Sequence, residues 1–308
     1  MKTPWWFLHK TPLAFLLLPV AFVYYFISRL VFNWRRMFAY KSRRKVVCIG
    51  GILAGGVGKT PIVRTLANYL DAPVVMRGYK RTASTANIGD EATMLMHDGI
   101  AVHVGHRKSN IMLLDRQKNE HGPILMDDGL QNPLIKKDVS ILVFDQMIGY
   151  GNGFLLPAGP LREPKYKAKK ADAIIIIKNG KPRKRFKLPS GVPIFYAENK
   201  TISPYTKNTK IVAFAGIGYP KKFFKSLDGI VAHRAFGDHY QYTDEDILEL
   251  KKLAAKKKAK LVTTEKDWVR LPIAVRDEIK YAKLETVLDT KFFDWLKEKL
   301  NADDKKTD

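Results

Sequence analysis

Along most of the chain, short apolar runs alternate with stretches whose apolar positions recur at helical spacing, the pattern of a parallel sheet covered by helices. The runs at 46–50, 73–76, 101–104, 124–127, 140–145 and 173–178 read as strands of one domain. A helix over 61–70 puts Ile62, Val63, Leu66, Tyr69 and Leu70 on one face with Pro61 at its start, so its N-terminus points back at the preceding loop. A basic, turn-rich stretch at 179–190 and a polar one at 199–210 bracket a strand at 192–197 and read as the link to a second domain. That domain follows as strands at 211–216, 231–234, 261–264 and 281–288, with helices at 220–227, 243–255 and 290–300. The division predicted is a helical segment at 1–38, a sheet domain with linker at 39–205, a smaller α/β domain at 206–301 and a fraying polar tail at 302–308.

Residues 12–28 break the pattern, because they carry no charge and precede a basic collar of Arg29, Arg35, Arg36, Lys41, Arg43, Arg44 and Lys45. The segment is short for a spanning helix and contains Pro12 and Pro19, which favours lying in a membrane interface. An amphipathic first helix packed on the body is the competing expectation. A signal peptide fits less well, since its charge should precede the apolar run. The positive-inside rule puts the collar and all that follows in the cytoplasm, and Trp5, Trp6, Tyr24, Tyr25 and Trp34 suit the headgroup level.

Composition sharpens this picture. With 308 residues, 46% hydrophobic and 27% charged, the chain is long enough for two packed units and too apolar for bulk disorder. Its net charge of +24, from 54 Lys and Arg against 30 Asp and Glu, calls for an anionic partner. Zinc-finger spacing and aromatic RNA-binding signatures are both missing, so nucleic acid is not expected, which leaves an anionic membrane surface or a phosphorylated substrate. A single cysteine, Cys48, fits a reducing compartment and gets no chemistry.

The loop Gly50-Gly51-Ile52-Leu53-Ala54-Gly55-Gly56-Val57-Gly58-Lys59-Thr60, between predicted strand and helix, has the form of a phosphate-binding loop. Its amides and the helix N-terminus would cradle a phosphate, Lys59 would neutralise the β- and γ-phosphates, and Thr60 would ligate Mg²⁺. Leu53 stands where the first glycine is usual. The strand ending in Met126-Asp127-Asp128-Gly129 has the Walker B form, with Asp127 or Asp128 completing the Mg²⁺ shell. A guanine-specific Asn/Thr-Lys-x-Asp element is not matched by Thr264-Glu265-Lys266-Asp267, so ATP is the expected nucleotide. By themselves Gly89-Asp90-Glu91 reads as a helix start and His239 as a loop histidine.

Several segments together resemble the tetraacyldisaccharide 4'-kinase family of Gram-negative bacteria. They are Gly55 to Pro61, Arg77-Gly78-Tyr79-Lys80-Arg81, Gly89-Asp90-Glu91-Ala92, Asp127-Asp128-Gly129-Leu130-Gln131-Asn132, Gly151-Asn152-Gly153-Phe154-Leu155-Leu156-Pro157-Ala158-Gly159-Pro160-Leu161-Arg162-Glu163-Pro164, Phe214-Ala215-Gly216, Phe236-Gly237-Asp238-His239 and Thr263-Thr264-Glu265-Lys266-Asp267. The resemblance implies a P-loop NTPase-like α/β domain with a second, smaller α/β domain, and transfer of the ATP γ-phosphate to the 4'-hydroxyl of a tetraacyldisaccharide 1-phosphate in lipid A biosynthesis. An acylated disaccharide phosphate substrate at the cytoplasmic face of the inner membrane suits the apolar N-terminus and its basic collar, with no obligate protein partner.

By resemblance, Asp90 is the carboxylate set against the acceptor hydroxyl and His239 its partner from the second domain, so closure would assemble the site. Phosphate loop residues Gly55, Gly56, Val57, Gly58, Lys59, Thr60 and Pro61 would hold ATP. Thr60, Asp127, Asp128 and Glu91 would serve the metal, and Arg77, Gln131, Arg162 and Glu163 would contact phosphate or substrate. Departures from the family pattern fall at Gly51, Leu53, Lys80, Gly237 and Tyr240. The competing class is a membrane-associated P-loop ATPase acting as a switch, which has no need of an acceptor-hydroxyl pair.

Overall fold

The computed structural model describes residues 4–55, 58–77, 88–117, 122–183 and 186–302, apart from the side chain of Trp5. In chain order the elements begin with α1 (Pro12–Leu16), α2 (Leu18–Arg36), β1 (Val46–Gly50), α3 (Lys59–Leu70), β2 (Val74–Met76), α4 (Asp90–His97) and β3 (Val102–Val104). Next come α5 (Arg107–Leu114), β4 (Ile124–Asp127), β5 (Val139–Asp145), β6 (Ala173–Lys178) and β7 (Ile194–Ile202). The series closes with β8 (Ile211–Ala215), α6 (Pro220–Lys225), β9 (Ile230–Ala235), α7 (Asp244–Lys256), β10 (Lys260–Thr264), α8 (Glu265–Trp268), α9 (Ile273–Arg276), β11 (Lys280–Leu288) and α10 (Thr290–Asn301).

The chain divides into two compact units. The larger comprises Thr3–Arg77, Ile100–Asn199 and Thr286–Asp308, and the smaller gathers Gly78–Gly99 with Lys200–Glu285. In the larger, the strands run β3-β2-β4-β1-β5-β6-β7. Neighbours are parallel, with Ile49 level with Asp127 on one side and Ile141 on the other. Strands covered on both faces have no polar side, which is why β1, β2 and β4 are buried throughout and apolar up to Asp127, the last residue of β4. Strand order reverses beside β1, and such a switch point opens a crevice at the strand C-termini.

The smaller unit repeats the principle with β11-β10-β8-β9, again parallel. Here alternation is visible. Ile211, Ala213 and Ala215 face Phe223, Phe224 and Leu227, while Val212 and Phe214 face Ile247, Leu250 and Ala254. Thr243 and Asp246 form a capping box that starts α7.

Three expectations need correction. Helix α3 begins at Lys59, so Pro61 is its third residue, tolerated because amides of the first turn have no intrahelical acceptor. Strand β7 runs on to Ile202 through part of the stretch read as linker, its exposure still alternating with a two-residue period, Glu198 and Lys200 outward and Asn199 and Thr201 half-buried. Helices α5, α8 and α9 have no counterpart in the sequence reading; α8 and α9 are single turns, too short for a helical period to register.

At the N-terminus, α1 and α2 bury only Ala14 and Ala21. Phe22 is 71% exposed, and Val20, Val23, Phe26, Ile27, Leu30, Val31 and Trp34 are also on the surface. No described helix is long and apolar enough to cross a membrane. The chain leaving α2 is clamped to the C-terminal end of α5 by Asp115, which accepts hydrogen bonds from the hydroxyls of Tyr40 and Ser42 at 2.7 Å and from the Arg43 amide at 3.3 Å. Tyr40 also exchanges backbone hydrogen bonds with Leu134 and Lys136.

Candidate active site

At the switch point of the larger unit, the phosphate loop leaves β1 and enters α3. Gly50 is tight against Leu130, where a Cβ would come within 2.8 Å of that side chain. Gly58, at the N-cap of α3, has a left-handed backbone (φ 77°), which a glycine adopts without strain. Gly56 and Val57 lie outside the described residues, as do residues 78–87, so in the Arg77–Arg81 segment only Arg77, exposed beyond β2, is placed. Lys59 and the half-buried Thr60 are the first two residues of α3.

The long glycine and proline run is what holds this loop. Leu53 bridges Leu161, the Ala54 amide donates to Pro160 O at 2.7 Å, and the Arg162 amide donates to Ile52 O at 2.7 Å. Leu53 is 2% exposed, so the residue in place of the usual glycine packs inward as part of this pairing. Buried Asn152 braces the run from behind, donating to Trp6 O and Ala158 O and accepting from the Phe154 amide.

As a result Arg162 and Glu163 stand beside the loop. The Arg162 guanidinium donates to Asp128 Oδ2 at 2.9 Å, and Lys59 Nζ is 3.1 Å from Asp128 Oδ1. Gln131 Nε2 donates to Gly51 O (3.0 Å) and to Glu163 Oε1 (3.1 Å), closing the network. Burial alone would raise the Asp128 carboxyl, but Lys59 and Arg162 outweigh it and hold Asp128 below the usual carboxylate range. Its backbone is also left-handed (φ 47°), an uncommon state for a residue with a side chain and one that gathers at functional sites. Arg107, absent from the sequence reading, donates to the carbonyls of Asp127 and Asp128 from α5 and so fixes the turn after β4. Cys48, buried in β1, has its thiol pushed up to about 12 by burial, in keeping with no chemistry.

The second cluster sits at the switch point of the smaller unit, past the ends of β8 and β10. Asp90 opens α4 as its first helical residue, with Gly89 at the N-cap. Its carboxylate, on a residue 2% exposed, turns to Arg270 at 2.7 Å rather than capping its own helix. His239, left-handed at φ 61°, donates its amide to Gly216 O at 3.0 Å and sets Nδ1 3.3 Å from Asp90 Oδ2. Asp90 and His239 therefore belong to one unit, and the pair exists without any closure of two domains. The reason lies in the segment carrying Asp90: α4 packs on α8, and its ion pair with Arg270 ties it to the smaller sheet. The Thr263 to Asp267 segment serves this cluster too. Thr264 caps α8, and Asp267 Oδ2 accepts from Thr264 Oγ1 (2.6 Å) and from the Gly216 amide (3.0 Å).

A model of the tetraacyldisaccharide-1-P 4'-kinase family matches residues 13–301. The chain belongs to this family. Among its relatives, the tetraacyldisaccharide 4'-kinase of Rickettsia bellii is 35% identical over 84% of this chain and 86% of its own. That of Paramagnetospirillum magneticum is 35% identical over 91% and 92%. A crystal structure of LpxK from Aquifex aeolicus in complex with ATP superposes with a TM-score of 0.74 at 22% identity, covering 94% of this chain and 99% of the other. Within this 4'-kinase chain, Lys59, Asp128, Gln131, Arg162 and Glu163 are brought together in one unit, and Asp90 and His239 in the other. Glu91 lies on α4 in the smaller unit, whereas Thr60, Asp127 and Asp128 lie in the larger. Arg270 has no counterpart in the sequence reading; it lies two residues past the end of α8 and is ion-paired with Asp267, three residues before it.

Proposed function

We propose that this 4'-kinase transfers the γ-phosphate of ATP to the 4'-hydroxyl of a tetraacyldisaccharide 1-phosphate, with Lys59 and Arg162 holding donor charge and Asp90 and His239 serving the acceptor. The match over residues 13–301 to a family defined by that reaction carries the reading. Phosphoryl transfer leaves a protein little to do beyond placing the reactants and neutralising charge. The phosphate loop and Lys59 would bind the donor phosphates, and Arg162, beside Asp128, adds a second cation at the loop. Asp90 would take the proton of the acceptor hydroxyl late in the transfer, with His239 orienting that hydroxyl.

The residues fit magnesium. Among those described there is no group of three His, Cys, Asp or Glu able to cage a metal, but Mg²⁺ needs only one or two carboxylates when phosphates and water supply the rest. The Thr60 hydroxyl in the first turn of α3 and the carboxylates of Asp127 and Asp128, at and just past the end of β4, would hold it. Bound there, it would neutralise charge on the β- and γ-phosphates.

The exposed apolar surface of α2, with Arg29, Arg35 and Arg36, supports attachment to the cytoplasmic face of the inner membrane, where an acylated substrate resides. The test is transfer of labelled γ-phosphate from Mg-ATP to tetraacyldisaccharide 1-phosphate in mixed micelles. Labelled lipid that disappears in Lys59→Ala supports the reading; ATP binding without labelled lipid would point to a switch ATPase instead.

A further inference from the structure

Arg270 is the largest side chain among those fully buried, with 0% of it exposed. A guanidinium carries five N–H donors and no acceptor. Here five contacts meet them: Nε to Asp90 Oδ2 at 2.9 Å, Nη2 to the same oxygen at 2.7 Å and to His239 Nδ1 at 3.0 Å, and Nη1 to Asp267 Oδ1 at 3.1 Å and Gly216 O at 3.0 Å. Because Nη2 can only donate, His239 Nδ1 must accept, and an imidazole that accepts at Nδ1 carries its proton at Nε2. A proton on Nδ1 would strand a fully buried Nη2–H against another N–H.

The same fork determines which oxygen of Asp90 is available. Both Arg270 donors converge on Oδ2, while Oδ1 is buried with no hydrogen-bond partner among the described residues. Gly216 closes the arrangement, its carbonyl accepting from both the His239 amide and Arg270 Nη1.

We propose that Arg270 is a positioning residue for the transfer, holding His239 as the neutral Nε2–H tautomer and reserving Asp90 Oδ1 for the acceptor hydroxyl. This rests on the reading of Asp90 and His239 given above. The hydroxyl proton passes to Asp90 Oδ1 while its oxygen bonds to the γ-phosphorus; the β–γ bridging bond breaks and its electron pair leaves with ADP. His239 meets the substrate through Nε2–H, as a donor.

The experiment uses full-length enzyme labelled with ¹⁵N-histidine, with His239 assigned by its loss in His239→Gln. Long-range ¹H–¹⁵N spectra should show His239 protonated at Nε2 in the wild type and shifted to Nδ1–H, donating to Asp90, in Arg270→Met. In the lipid assay Arg270→Met should lower kcat about 100-fold, the cost of a displaced catalytic group, with the KM for Mg-ATP unchanged. Arg270→Lys, which keeps the charge and part of the fork, should recover some of that loss and is the variant read if Arg270→Met does not fold. A wild-type His239 already protonated at Nδ1, or kcat within about threefold of wild type in the folded variants, overturns the inference. If Asp90→Ala leaves transfer intact, the reading of the pair itself fails; if Asp90→Ala abolishes it while the Arg270 variants keep it, only the role of Arg270 does.

Discussion

Asp128 is the residue on which the phosphate site is centred, because both cations of the site converge on its carboxylate. Its folded pKa lies below the unfolded value near 3.9, so its contribution to stability is complete above about pH 4 and lost as pH falls through the lower folded value. Asp128→Asn should be less stable than wild type near neutrality, and the gap in urea midpoint should close on acidification from about pH 5 to about pH 2. Arg162→Ala removes the cation proposed above to meet developing phosphoryl charge and should lower kcat roughly 100-fold in the labelled-lipid assay, with the protein still folded. Residues with a local pattern of their own, such as Lys59 after its glycines and Asp127 and Asp128 at the end of a strand, were legible in the sequence. Asp90 and His239 were legible only through resemblance, because the 3.3 Å between them spans much of the chain and leaves no periodic trace. Arg107 and Arg270 are single arginines whose partners, apart from Asp267 beside Arg270, lie far along the chain, which no window of sequence displays.

Among the elements, strands were read most closely, since an apolar run buried on both faces ends where burial ends; β1, β4 and β6 fall at the expected residues. What could not be read was the purpose of the glycine and proline run. Its sequence marks a specific loop, but its pairing with Ile52, Leu53 and Ala54 is a tertiary fact. Asn152 is the brace, and Asn152→Ala would leave two carbonyls and one amide without their partner. A destabilisation of roughly 1–3 kcal/mol is expected in chemical denaturation. A raised KM for ATP should accompany it, because the loop it braces carries Arg162 to Asp128.

On the scale of the whole molecule, a net charge of +24 and an apolar α2 point to one environment. Each large apolar side chain moved from water into lipid contributes about 1.5–3 kcal/mol. Replacing Phe22, Phe26 and Leu30 together by Ser should therefore weaken sedimentation with anionic vesicles by more than about 100-fold. Thermal stability should stay close to wild type, because all three side chains are already exposed. Composition led to the expectation of an anionic partner but held no trace of how α2 joins the body. Asp115 joins the chain between α2 and β1 to the body through Tyr40, Ser42 and Arg43, so α2 is not hung on an unattached linker. On the membrane attachment proposed above, the orientation of the helix in the lipid would pass through this joint toward β1, where the phosphate loop begins.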